Sequence, residues 1–292
     1  MKKFMFGLFI AFGISACSLG DNISEDTCGE YTNVAFSGFP LSCNYTLKNP
    51  PLNPIAFVAN TQEKMDSYFT KHANSCPNPS DPTIDFTKYV FVGIFSGEKS
   101  TNGYGIKITS IVENSCNLVI NFYEHGPQSG EAITQTPTNP SDYVLIPKTS
   151  KPIYFNKTLE SPDKIIIGSF DGACTGSAAC QQFYQLNDYN IMNYLNVVYG
   201  SYEFTQYKYN AVIKRGDYTL FLKTIPTEIL NIKGQTKTYG SPDSGDKKGV
   251  YFELRQGSVV TKIYIDNDDT EDQSAEIKAF KKAIQDKITA LK

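Results

Sequence analysis

The chain has little of what catalysis and metal binding draw on. Its 292 residues include two histidines, His72 and His125. No two cysteines stand in C-x-x-C spacing, so a thiolate–imidazole zinc site lacks its ligands and metal is not expected. No nucleophile and base fall at an interpretable spacing, so no catalytic residue and no cofactor is assigned. Acid–base chemistry by paired carboxylates stays open, because a fold and not a local spacing assembles such pairs. Positive charge is also short: 27 Lys and Arg face 30 Asp and Glu, a net charge of −3. Removing Lys2 and Lys3 takes it from −3 to −5, which leaves no basic field for nucleic acid. After the N-terminus no run of about 18 apolar residues occurs, so no helix of the body is expected to span a bilayer. Gly97-x5-Gly103 is not followed by Lys-Ser/Thr and so fails as a phosphate loop.

What is present begins at the N-terminus. Lys2 and Lys3 precede an apolar run over residues 4–14, too short to span a membrane comfortably, and Ser15-Ala16 supply small residues for a signal peptidase. Ile14-Ser-Ala-Cys17 resembles the bacterial lipobox. That implies cleavage before Cys17, diacylation of its sulfur and acylation, palmitate-like, of the new amino terminus. Two or more acyl chains hold a protein stably on a membrane, where one holds it marginally. Ser18 stands where an inner-membrane retention Asp would. The expectation is a lipoprotein of the bacterial cell envelope, extracytoplasmic, on the outer membrane or cell surface.

Six cysteines remain once Cys17 is lipidated: Cys28, Cys43, Cys76, Cys116, Cys174 and Cys180. An even number in an exported chain reads as up to three disulfides with fifteen connectivities. Nearest-neighbour pairing, Cys28–Cys43, Cys76–Cys116 and Cys174–Cys180, is the expectation, the first closing a loop worth about 3 kcal/mol of chain entropy.

The organising stretch of the body is residues 89–123. Three runs rich in Val, Ile, Phe and Tyr are split by residues 97–105 and 113–116, the pattern of strands joined by hairpins. The first run is apolar throughout, as in a strand buried on both faces. In the second, Ile106, Ile108 and Ser110 alternate with Lys107 and Thr109. Gly103 and Gly105 supply positive φ at a turn or room for close approach. Upstream, residues 55–58 give a short strand and residues 60–72 a helix, capped by Asn60 or Thr61, with Met65, Phe69 and His72 on one face. His72 is read as part of that flank, and His125 as a loop histidine.

A strand, a T-Q-E-x4-Y-F helix, a Pro-containing loop and then I-D-F-T-K-Y-V-F-V-G-I-F-x-G-x-K-x-T-N-G-Y-G-I-K-I-T-S-I follow in order. This pattern resembles the PrcB-type lipoproteins that accompany a secreted subtilisin-like protease. Asp85, Phe86, Val92, Gly93, Gly97, Thr101, Gly103, Tyr104 and the Ile run 106–111 carry it. Residues 119–124, Pro127, 134–136, 143–148 and 152–155 continue it, so it spans about 52–157. The resemblance implies a β-rich, non-catalytic module that binds a protein partner, with Thr101, Asn102 and Tyr104 as its contact. Cys76, Cys116 and the long C-terminal half depart from the pattern.

That half reads as residues 164–168 closing the first unit and an amphipathic helix on Leu186, Ile191, Tyr194, Leu195 and Val198. Strands follow at 201–209, 210–214, 218–223, 249–255 and 258–266, with turns at Gly216-Asp217 and Gln256-Gly257 and a mobile loop over 231–248. Tyr199, Tyr202, Phe204, Tyr207 and Tyr209 are either cross-strand packing or a ligand face. Ile277, Phe280, Ile284, Ile288 and Leu291 recur at helical spacing. Thr270 with Gln273 is a candidate capping box, and Asp266, Asp268, Thr270 and Asp272 fall on alternate positions, as in a weak calcium site lacking the EF-hand Gly and Glu.

The division expected is signal peptide 1–16, tether 17–37, β-rich domain 38–170, Cys-bounded linker 171–182 and C-terminal α+β domain 183–292. The fold class is α+β and β-rich: an antiparallel sheet domain with one packed helix, then a second α+β domain ending in an amphipathic helix. The function expected is that of a membrane-anchored accessory module that stabilises a protein partner. The alternative is a surface lipoprotein that binds a small molecule or glycan.

Overall fold

The computed structural model describes residues 28–39, 41, 45–72, 83–127, 132–159, 163–173, 180–212, 217–242, 248–257 and 259–292. Cys17, Cys43, Cys76 and Cys174 lie outside them. In chain order the elements are β1 (Thr32–Asn33), β2 (Ser37–Gly38), β3 (Tyr45–Leu47), β4 (Ile55–Ala59), α1 (Gln62–Tyr68), β5 (Phe69–Lys71), β6 (Tyr89–Phe95), β7 (Gly105–Glu113), β8 (Leu118–His125), β9 (Ser141–Pro147) and β10 (Ile153–Thr158). There follow β11 (Lys164–Asp171), β12 (Gln182–Leu186), β13 (Ile191–Tyr194), β14 (Tyr209–Val212), α2 (Asp217–Leu222), α3 (Thr227–Asn231), β15 (Thr236–Tyr239), β16 (Lys248–Gln256), β17 (Val259–Asp266) and α4 (Ala275–Leu291). The architecture is α+β and β-rich. One 11-stranded sheet runs β15-β17-β16-β11-β12-β13-β14-β2-β9-β6-β4, and a four-stranded sheet runs β1-β7-β8-β10.

The strand β6 sits between β4 and β9 and is buried at every position after Tyr89. Its apolar run is therefore explained: Phe91 and Phe95 face an aromatic cluster with Phe39, Phe57 and Phe69, while Val90, Val92 and Ile94 face the core between the sheets. Of the hairpins expected around it, β7–β8 forms, turned by Asn114, whose Oδ1 accepts from the Cys116 and Asn117 amides at 3.0 Å each. β6 and β7 lie in different sheets, so residues 97–105 cross between sheets and are not a hairpin turn. The alternation of β7 also breaks. The register shifts between Ile108 and Ser110, and the core residues become Ile106, Ile108 and Ile111, because an extra residue in one strand reverses which face follows it.

Thr61 caps α1, its Oγ1 accepting from Lys64 N at 3.2 Å, and Met65 is fully buried. The helix stops at Tyr68 and not at His72. Phe69 is extended and pairs with Leu47 in β3–β5, where its ring joins the aromatic cluster, so tertiary packing ends the helix early.

Several expectations for the C-terminal half are corrected. Residues 186–198 do not form a helix: Gln182–Leu186 and Ile191–Tyr194 are antiparallel strands. Asn187 turns them, its Oδ1 accepting from the Tyr189 and Asn190 amides at 2.8 and 2.9 Å. Residues 217–222 form α2, a helix where a strand was expected, with Tyr218 and Phe221 buried three positions apart. The segment expected as a mobile loop contains β15, paired in parallel with β17. The hairpin β16–β17 forms as expected, turning at Gly257 with φ +57.

The strand β11 pairs with β12 on one side and β16 on the other, so these three strands belong to one hydrogen-bonded sheet. α4 covers the far face of β11, β12 and β16 with Ile277, Phe280, Ile284 and Ile288. Each such buried side chain contributes about 1.5–3 kcal/mol. Its N-cap is Ser274, whose Oγ accepts from Ile277 N, and not the Thr270–Gln273 box.

The disulfide expectation is corrected where the structure describes it. Cys28 pairs with Cys116, not Cys43, and so Cys116 does not pair with Cys76. The reason is the antiparallel pairing of β1 on β7, Thr32 opposite Glu113, which brings Cys28 against the β7–β8 turn. Cys180 is also disulfide-bonded. Of the stretch expected as a tether, residues 28–37 belong to the fold, with Phe36 buried.

Candidate partner-binding site

Residues 97–105 carry Thr101, Asn102 and Tyr104. Residues 99–102 of the segment are pinned to residues 132–138, while Glu98 N donates to Leu52 O at 3.2 Å. Lys99 and Thr138 exchange backbone hydrogen bonds at 2.8 and 2.9 Å, and Thr138 Oγ1 donates to Thr101 O at 2.9 Å. Asn102 Oδ1 accepts from Thr134 N at 2.7 Å, and its Nδ2 donates to Ala132 O at 3.3 Å. The Asn102 side chain thus holds the loop in shape, and Thr101 and Asn102 are half-buried. Tyr104 is the outward group of the three, 36% exposed, with Lys99 Nζ 5.6 Å from its ring centroid.

Both glycines expected to matter do so, for different reasons. Gly103 has φ +84, in the left-handed region that disfavours a side chain. Gly105 lies under the His125 imidazole, where a β-carbon would collide with the ring. The imidazole stacks near Tyr123, ring centroids 6.1 Å apart, and its Nδ1–H donates to Gly126 O at 3.1 Å. Successive strand residues point to opposite faces, so Glu124 beside it faces away. Glu124 instead takes Lys99 Nζ at 2.8 Å and Lys157 Nζ at 2.6 Å. Burial raises its carboxyl pKa, but hydrogen bonds and charge from Lys157 and Lys99 outweigh that and hold it below its ordinary value. The trio Lys99, Glu124 and Lys157 joins three separate segments, and sequence reasoning missed it because no spacing relates them. His72, beyond the end of β5, is not on a helix flank.

The C-terminal aromatics are mostly core. Tyr202, Phe204, Tyr207 and Tyr209 are buried, Phe183 lies 5.0 Å from Tyr202, and Tyr194 lies 4.8 Å from Phe204. They do not pack as one strand: residues 204–206 make a 3-10 turn, and only Tyr209 enters a ladder. Tyr207 and Tyr209 also line a cavity of about 280 Å³ with Phe39, Lys107, Asp142 and Tyr143. The acidic run 266–272 folds around a lysine: Lys281 Nζ donates to the carbonyl oxygens of Asp266, Asn267 and Asp268 at 3.1, 2.9 and 3.3 Å. Among the described residues no helix is long and apolar enough to cross a membrane.

No curated protein and no solved structure matches this chain. Residues 90–147, from β6 to the end of β9, match a family model, that of the PrcB C-terminal domain.

Proposed function

We propose that this chain is an accessory subunit of a protease complex, in which the module over residues 90–147 binds a secreted protease and keeps it folded. The observation that carries the reading is the match of that span to the PrcB C-terminal family. In support, the loop presenting Tyr104 is held by backbone pairing and by Asn102, so a partner would meet a preorganised surface and little ordering entropy would be lost on binding. We place Cys17 as the lipid anchor and the protein on the outer membrane or cell surface. Affinity purification from detergent-solubilised membranes tests both parts. A protease should co-purify in stoichiometric amount, and Cys17→Ala should shift the protein from membrane to soluble fraction or leave it unprocessed. Recovery of the folded protein with no protease would sink the accessory reading. Processed Cys17→Ala still held on the membrane would sink the anchor.

A further inference from the structure

The face of β11, β16 and β17 turned away from α4 carries a cluster of charge. Ile165, Ile167, Phe252, Leu254, Ile263 and Ile265 pack in the core with α4, so the alternate residues of these strands point to the other side. There Arg255 stands directly opposite Lys164, and Glu253 stands between Ile166 and Lys262. Three cations thus gather about one carboxylate.

That carboxylate does not satisfy them. Glu253 is fully buried and both its oxygens are engaged: Oε1 accepts from Arg255 Nε, and Oε2 accepts from the Tyr251 hydroxyl at 2.5 Å. Lys262 Nζ stays 3.9 Å from Oε2. Among the described residues Lys164 makes no hydrogen bond and no ion pair, and the two terminal amino groups of Arg255 make none either. Side chains directly opposite in an antiparallel pair have β-carbons about 4.5–5.5 Å apart, and like charges there repel. Desolvation, and then the positive charges of Arg255 and Lys107, push the Lys164 ammonium down to about 8, with Glu253 and Asp142 pulling the other way.

Lys107 is balanced by Asp142, and Glu203 also acts on Arg255. Lys164, Arg255 and Lys262 then stand against Glu253 and Glu203, a surplus of one positive charge in a chain whose net charge is −3. The cations are within reach of solvent: the Arg255 and Lys262 side chains are 33% and 30% exposed, and Lys164 is half-buried. One singly charged anion would balance the cluster. The two terminal amino groups of a guanidinium offer parallel N–H donors that fit the two oxygens of a carboxylate. The Lys164 ammonium adds a donor from the strand opposite. We propose that Lys164 and Arg255 form a binding site for a carboxylate group, with Lys262 at its border. The proposal does not rest on the accessory reading, whose test is protease recovery.

The experiment is calorimetric titration of the full chain, at constant ionic strength, with acetate, succinate, N-acetyl-dialanine and the C-terminal amide of that dipeptide. The wild type should bind the acids and not the amide, and its melting temperature should rise with their concentration. Lys164→Met removes a charge that faces a like charge, so without ligand its melting temperature should stay level or rise. Its affinity for the acids should fall about tenfold or more, because a hydrogen bond to a charged group is lost. Lys164→Arg keeps the charge and should keep the binding. Tighter binding of the dipeptide acid than of acetate or succinate indicates a peptide chain end as ligand; the reverse indicates a free organic acid. The proposal is overturned if no acid of the set binds the wild type at millimolar concentration, if the amide binds as tightly as the acid, or if Lys164→Met binds as tightly as the wild type.

Discussion

The ammonium of Lys281, in the first half of α4, lies 2.9 Å from Oδ1 of Asp269 in the loop that precedes the helix. Three backbone carbonyls and Gln273 Oε1, at 2.8 Å, complete its surroundings, and Lys281 is 5% exposed. A covalently tethered cation therefore occupies the centre of the acidic loop that, in sequence, has the alternating oxygens of a weak calcium site. Its position on α4 follows from helical spacing: Lys281 directly follows Phe280, at the margin of the face that packs on the sheet.

Replacing Lys281 with Met should destabilise the protein by about 3–5 kcal/mol, because carbonyls and a carboxylate gathered round a cation are left facing an apolar chain. Chemical denaturation measures it. A loss under 1 kcal/mol would mean the loop re-solvates freely and the ammonium is not what orders it.

Acid should weaken the strand end at Glu124. Its folded-state pKa lies below the ordinary 4.5, so its contribution is complete above that value and is lost as pH falls through the depressed folded value. Glu124→Gln should lower stability by a roughly constant amount between pH 7 and 8, where the carboxylate's contribution is complete, and flatten the dependence of stability on pH below about 4.5. An unchanged acid limb in the variant would show that the two lysines do not act through this carboxylate.

The Cys28–Cys116 bond closes 88 residues. In the chain-entropy model a loop of that size is worth about 4–5 kcal/mol, and observed losses run about 2–5 kcal/mol. Cys116→Ser should lower stability in that range. Non-reduced peptide mapping of the wild type should recover a fragment joining Cys28 to Cys116, and recovery of Cys28 joined to Cys43 would contradict the pairing.

Tyr104→Ala tests the contact loop. Aromatic hot spots contribute about 2 kcal/mol or more to an interface, so protease recovery should fall roughly thirtyfold. With the ring 36% exposed, stability should change by less than about 1 kcal/mol. If the melting temperature drops sharply and recovery per folded molecule is unchanged, Tyr104 is scaffold and the interface lies elsewhere.

Elements set by near neighbours were legible in the sequence. The run in β6, the β7–β8 and β16–β17 hairpins, the Thr61 cap and the apolar face of α4 each follow from side chains within a few residues of one another. Where spacing fits both a helix and a strand, local pattern misleads. Leu186, Ile191 and Tyr194 fit a helical stripe, yet Asn187 turns the chain between them, and an Asn-Asp pair in that position was the available signal. Tyr218 and Phe221 sit three apart, which a helix pairs on one face and a strand does not.

The sequence by itself thus determined which segments are apolar and where most turns fall, since sterics and period act along the chain, and it carries the PrcB-like resemblance over about 52–157, within which the family match over 90–147 lies. Tertiary structure alone decided that β6 and β7 part into different sheets, that Cys28 finds Cys116, that Lys281 fills the acidic loop, and that Lys107, Asp142 and Tyr209 share one cavity. Each of these depends on which distant segments meet, and that is settled by burial summed over whole faces, a quantity no local spacing encodes.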